Sequence, residues 1–190
     1  MKSRLVRLLF LLQLTLLRAT AQESPAPAMK TGPPSPEMQK LFEAFSGTWS
    51  ITQNLEPSEA MPKGGTGHGE EVYRSGPGGA SMIEEVHVKG ESGEISGLSV
   101  TWWDEKAQGY KALWCASNKP SGCVMMAKVA KWEGSDFVLG DEFEKNGKKF
   151  VFKEVISEIT SASFTQTIYQ GEAGKELKRL LTIHGTKKSN

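Results

Sequence analysis

The chain has 190 residues, 23 Lys and Arg against 22 Asp and Glu, with 38% hydrophobic and 24% charged residues, a globular composition that excludes the fibrous and disordered classes. Residues 1–21 carry Lys2, Arg4, Arg7 and Arg18 and no acid, so beyond them 19 basic residues stand against 22 acidic ones, a net charge of −3. That balance excludes a nucleic-acid binder, which needs clustered positive charge to displace counterions from phosphates. The roughly 169 residues that remain can bury one core without metal or disulfide staples.

Lys2, Arg4 and Arg7 form a basic start, Leu8 to Leu17 is apolar apart from Gln13 and Thr15, and Ala19-Thr20-Ala21 offers small residues for cleavage before Gln22. This pattern predicts a secretory signal peptide over 1–21. Arg18 closes an apolar run well short of the roughly 20 residues that cross a bilayer, so no stable membrane span is expected. No cysteine follows the cleavage site to carry a lipid, and the expected destination is a periplasm or the exterior.

Residues 22–35 are rich in Pro, Ala and Ser and predict a disordered leader, because such a segment has little apolar surface to bury. Met38, Leu41, Phe42 and Phe45 then recur at helical spacing, with Ser35 as N-cap, Pro36 at the first helical position and Gly47 as the stop. A helix of about ten residues is too short to stand alone in water and must dock its stripe on something.

From Gly47 the period becomes 2, with glycine-containing turns at regular intervals. Ten strands are predicted at about 47–55, 67–75, 79–89, 95–104, 109–117, 122–131, 135–144, 149–158, 162–170 and 175–186. Asn146-Gly147 is the most diagnostic turn, since a tight hairpin needs positive φ at both central residues. No gap is long enough for a crossover helix, so the fold class is all-β. The expected architecture is an antiparallel up-and-down barrel of about ten strands, closed to hide its edges, with one short N-terminal helix.

The helix leading into Gly47-Thr48-Trp49 resembles the start of the lipocalin, fatty-acid-binding and nitrobindin proteins, collectively the calycins. In that group the Gly-x-Trp tryptophan packs across the closed end of the barrel. Gly97-Leu98-Ser99-Val100-Thr101-Trp102-Trp103-Asp104, Tyr110-Lys111-Ala112-Leu113-Trp114 and Leu181-Thr182-Ile183-His184-Gly185-Thr186-Lys187-Lys188 follow the order of an uncharacterised, often secreted bacterial family with a calycin-like barrel. The resemblance covers about residues 36–188 and implies a calycin-like β-barrel domain, without an established activity. A C-terminal histidine ligates haem in nitrobindin-like barrels, which invites comparison with His184. Gly185-Thr186-Lys187 departs from that pattern, and no cofactor is assigned.

Candidate site residues come from the second hairpin. With its turn centred between Pro77 and Gly78, His68 faces His87 and Glu70 faces Glu85, a set able to share a divalent ion or to form an ordinary solvated outer face. On the other face Ala80, Met82, Val86 and Val88 share a line with Glu84 and oppose Tyr73 and Glu71. A carboxylate in an apolar lumen must be paired, protonated or in contact with a ligand, so Glu84, Tyr73 and Glu71 are candidate ligand contacts. Trp102 and Trp103 point to opposite faces, which leaves one of them, Trp103, as a candidate lining residue. Trp49, Trp114, Trp132, Met125 and Met126 suit either core packing or an adaptable apolar site.

Cys115 and Cys123 flank the Asn118 to Gly122 turn and are expected to face each other as a disulfide, with two buried thiols as the alternative. The chain holds no Gly-x-Ser-x-Gly, His-Glu-x-x-His or phosphate-cradling loop, and no catalytic or metal-ligating residue is assigned. The sequence therefore predicts a secreted barrel binding a small apolar or amphipathic ligand in its lumen. A packed barrel acting through its surface as an envelope interaction or structural module is the alternative, and an enzyme on the same barrel comes third.

Overall fold

The computed structural model describes residues 32–119 and 122–189. The predicted signal peptide, residues 22–31 of the leader, and Pro120 and Ser121 in the Cys115–Cys123 loop lie outside the described residues.

Helix α1 (Pro36–Phe45) starts where its capping residues predict. Ser35 Oγ accepts a hydrogen bond from the Met38 N–H at 3.2 Å, and Pro36 occupies the first turn. Its buried stripe is Met38, Leu41 and Phe45. At its end Ser46 donates its N–H to Phe42 O, and Gly47 takes φ 128° to swing the chain into the sheet.

Eleven antiparallel strands follow: β1 (Gly47–Leu55), β2 (Gly65–Ser75), β3 (Met82–Gly90), β4 (Gly93–Asp104), β5 (Gly109–Ala116), β6 (Cys123–Met125), β7 (Lys131–Glu133), β8 (Asp136–Lys145), β9 (Lys148–Ser157), β10 (Ser163–Glu172) and β11 (Lys178–Lys187). They form one curled sheet in the order β6-β5-β4-β3-β2-β1-β11-β10-β9-β8-β7. The all-β, up-and-down expectation holds, and Asn146 and Gly147 sit in their turn at φ 54° and 70°.

Two expectations need correction. The strand predicted over 122–131 is divided, because one segment serves both ends of the sheet. Its first part, β6, pairs with β5 from Cys115–Cys123 to Leu113–Met125, and it then leaves that ladder to pair with β8 as β7. Between the two, Ala130 and Tyr110 exchange both backbone hydrogen bonds, at 2.7 and 2.9 Å, and this bridge joins the two ends of the sheet.

The second correction is the register of the β2–β3 hairpin. Residues Pro77–Gly79 form a 3-10 turn with Gly78 at φ 63° and Gly79 at φ 70°, and the Gly76 N–H closes the loop on Ser81 O at 2.7 Å. This longer loop moves every pairing by two: Tyr73 faces Glu84, Glu71 faces Val86, and Glu70 faces His87. Because strand side chains alternate with period 2, an even shift leaves each one on its expected face.

The core gathers at the end of the barrel that α1 covers. Phe45 packs against Tyr73, Phe137, Phe164 and Trp132 at centroid distances of 5.7, 6.1, 6.2 and 6.3 Å. Trp49 stands edge-on to Phe164 at 4.9 Å and donates its Nε1–H to Phe45 O at 2.7 Å, so the Gly-x-Trp tryptophan pins the helix over this end. Phe164 lies on Gly185 so closely that a Cβ there would come within 2.4 Å of its ring.

Candidate functional site

Beyond this aromatic plug the inward face turns polar. On β2 the alternation that buries Tyr73 also buries Glu71, which is only 2% exposed. β3 places Glu84 between Tyr73 on one side and Ser99 of β4 on the other. From β9 and β10, Glu154 and Gln166 occupy the same inward lines as Ile156 and Phe164. Around them the inward face is mixed: Met82, Val86, Val88, Ile156 and Ile183 are buried, and so are Ser99 and Thr101.

Tyr73 Oη lies 2.9 Å from Glu71 Oε2 and 3.3 Å from Glu84 Oε1. A phenol carries a single proton, and the shorter contact takes it, with Tyr73 donating to Glu71. The longer contact is complete when Glu84 holds its own proton and donates to the phenol oxygen. Across the barrel Gln166 donates Nε2–H to Glu154 Oε1 at 2.9 Å. Its Oε1 is buried without a partner among the described residues, the residue being only 8% exposed, and a buried acceptor left unpaired costs about 1–3 kcal/mol.

The electrostatics follow from burial without a counter-charge. Burial pushes the Glu71 carboxyl up to about 7, the Tyr73 hydrogen bond opposing and the Glu154 charge adding. Burial also takes Glu154 up to about 7, against the Gln166 hydrogen bond. Glu84 goes well above the usual carboxylate range, first through burial and then through repulsion from Glu71 and Glu154. No ion pair among the described residues reaches any of the three. Glu84 and Glu154 are half-buried, whereas Glu71 is fully buried.

The structure therefore brings Glu71, Tyr73 and Glu84 together and leaves Trp103 apart. Trp103 is on the inward face of β4 but at the helix-covered end, edge-on to Tyr110 at 5.1 Å. There it lines a separate cleft of about 390 Å³ with Pro36, Lys40, Tyr110, Lys131 and Trp132. Tyr110 Oη donates to Glu37 O at 2.9 Å and accepts from Trp132 Nε1 at 3.2 Å, which ties this cleft to the helix.

Sequence reasoning missed Glu154 and Gln166, although the signal that singled out Glu84 was present for both. Glu154 interrupts the apolar line of Phe150, Phe152 and Ile156, and Gln166 that of Phe164 and Ile168.

His68, Glu70, Glu85 and His87 share the outer face. Glu85 pairs with Arg74 at 2.8 Å and Glu70 with Lys188. His68 Nδ1 lies 3.3 Å from Thr52 Oγ1 and His87 Nδ1 3.0 Å from Ser96 Oγ. Among the described residues no group of three or more His, Cys, Asp or Glu is placed to hold a metal ion. His184 is also exposed on the outer face, 3.3 Å from Thr165 Oγ1, so it does not enter the lumen. Cys115 and Cys123 are joined as a disulfide across the β5–β6 pair. No helix among the described residues is long and apolar enough to cross a membrane.

No protein-family model matches the sequence, and no curated protein matches it. Solved structures do resemble the fold. Rv2717c from M. tuberculosis superposes with a TM-score of 0.55 at 12% identity, over 82% of this chain and 99% of that one. The S-type phycobiliprotein lyase CPES from Guillardia theta gives 0.52 at 12% identity, over 80% and 93%. A redesigned β-barrel, mFAP0, solved with DFHBI bound, gives 0.40 at 11% identity, over 75% and 97%. The likeness to the first two shows a calycin-like barrel fold.

Proposed function

We propose that this protein is a secreted carrier that holds a small apolar or amphipathic molecule in the barrel lumen. The observation that carries the reading is the set of polar groups that meet among the apolar side chains of the inner face: Glu71, Tyr73, Glu84, Glu154 and a Gln166 whose buried oxygen lacks a partner among the described residues. A few polar groups converging in an apolar hollow orient a ligand, while burial of its apolar surface supplies affinity at about 25 cal/mol per Å² before ordering costs.

The Cys115–Cys123 disulfide suits an oxidising compartment and supports export through cleavage of residues 1–21, with 22–35 as leader and 36–188 as the barrel domain. The order of the Gly97–Asp104, Tyr110–Trp114 and Leu181–Lys188 segments supports membership of the uncharacterised secreted bacterial calycin-like family.

Native mass spectrometry of the mature protein from its secretory compartment tests the reading. The expected result is a chain beginning at Gln22 with added mass that is lost on denaturation. A bare polypeptide mass together with no saturable binding of an apolar fluorophore overturns it.

A further inference from the structure

We propose that the lumen selects organic cations, taking an apolar or amphipathic molecule by an ammonium group that donates to the inward glutamates and to Gln166 Oε1. This rests on the lumen-binding reading above and specifies the chemistry of its ligand.

Most elements of the barrel turn at least one polar group toward the lumen. β2 supplies Glu71 and Tyr73, β3 Glu84, β9 Glu154 and β10 Gln166. β4 supplies Ser99 and Thr101, whose hydroxyls lie 3.5 Å apart, and β1 supplies Gln53. β8 adds Asp141, in line with Phe137 and Leu139, but its Oδ1 already accepts from the Ala127 and Glu142 N–H groups at 3.3 and 2.8 Å. Helix α1 contributes Phe45. The one basic group on an inward line near the plug is Lys187 of β11, and its ammonium lies 5.1 Å over the Trp49 ring and pairs with none of the three glutamates. Lys145 and Lys148 stand on the inward lines of β8 and β9 at their far, exposed ends, where Lys148 pairs with Glu172, so among the described residues no base pairs with Glu71, Glu84 or Glu154.

Gln166 gives the second, independent sign. Its Nε2–H is committed to Glu154, and its Oε1 is left as a buried acceptor with nothing to accept from. What the site lacks is therefore donors and positive charge. An alkyl ammonium carries both, three N–H donors and a unit charge, and its bonds to carboxylates are the charge-assisted kind. A fatty acid would bring a like charge and further acceptors. A bare divalent ion finds no set of ligating side chains close enough among the described residues.

The acids are also poised to respond. Without a ligand, burial favours their protonated forms near neutral pH, and an arriving cation favours ionisation. Binding then releases protons, so affinity for the cation rises from pH 5 to pH 8.

Calorimetric titration of the mature, disulfide-bonded protein with octylamine, octanol and octanoate at both pH values reads this out. Octylamine is expected to bind at least about tenfold more tightly than either partner at pH 8, a difference of about 1.4 kcal/mol, with a smaller margin at pH 5. Glu84→Gln and Glu154→Gln, each checked for a native circular dichroism spectrum, are expected to cut the amine-to-octanol affinity ratio about tenfold. If octanol or octanoate binds as well as the amine, the lumen still binds ligands and the selectivity for cations is overturned. If none of the three binds, the lumen-binding reading and this inference fall together.

Discussion

At the scale of single residues, the cost of the lumen is concentrated in Glu71. Its carboxyl keeps its proton up to about 7 in the folded chain, against an ordinary value of 4.5. Folding therefore takes up a proton between those values, and stability falls as pH rises through that window. Glu71→Gln removes the ionisation while keeping an acceptor for Tyr73. Urea denaturation is expected to show the variant more stable than the parent at pH 8, on the order of 2 kcal/mol, with little difference at pH 4. A parent whose stability is flat from pH 4 to 8 would contradict the burial of an unpaired acid. Phe45 sets the opposite balance, since four aromatic rings surround it. Phe45→Ala is expected to cost about 3–5 kcal/mol in the same assay and to loosen the helix from the barrel end.

At the scale of elements, each strand boundary depends on its turn, and the turns differed in how much the sequence disclosed. The Asn146-Gly147 hairpin and the helix capped by Ser35 and Pro36 were legible because two or three adjacent residues dictate their backbone. Glu84, Tyr73 and Glu71 were legible as inward-facing because alternation alone decides the face. The β2–β3 register was not, because a 3-10 turn with two left-handed glycines lengthens a loop without any change in strand pattern. The split of 122–131 was equally hidden, since which edge a strand pairs with is a matter of closure and leaves no local trace. Glu154 and Gln166 come together from separate strands, and only the curl of the sheet brings them opposite Glu84.

The β5–β6 hairpin carries its own prediction. β6 is three residues long and its ladder rests on three pairings, one of them the disulfide. Reduction of Cys115–Cys123, or the double change to Ser, is expected to lower stability by about 2–3 kcal/mol, near the low end for so short a loop. Hydrogen exchange should show the loss of protection first at Val124 and Met126, whose N–H groups face β5.

At the scale of the whole molecule, the sheet is well knitted except where its two ends meet through the Tyr110–Ala130 bridge. Local opening draws on the least-paired region, so residues 123–133 are expected to exchange amide hydrogens faster than β1–β4 and β9–β11. Ala130→Pro, which removes one of the two bridging N–H donors, should widen that difference. Uniform protection across the sheet would show the seam to be as firm as the rest.

Around the curl, from β7 through β11 and on from β1 to β6, neighbours in space are neighbours in number throughout. The single pairing that spans the chain is β1 with β11, where Trp49 meets Lys187 and Leu55 meets Leu181. A circular permutant, opened between β6 and β7 and joined from β11 back to α1, would turn that distant pairing into a local one. Since folding slows as contacts lie further apart along the chain, the permutant should reach the same sheet sooner, without waiting for the two ends of the natural chain to find each other.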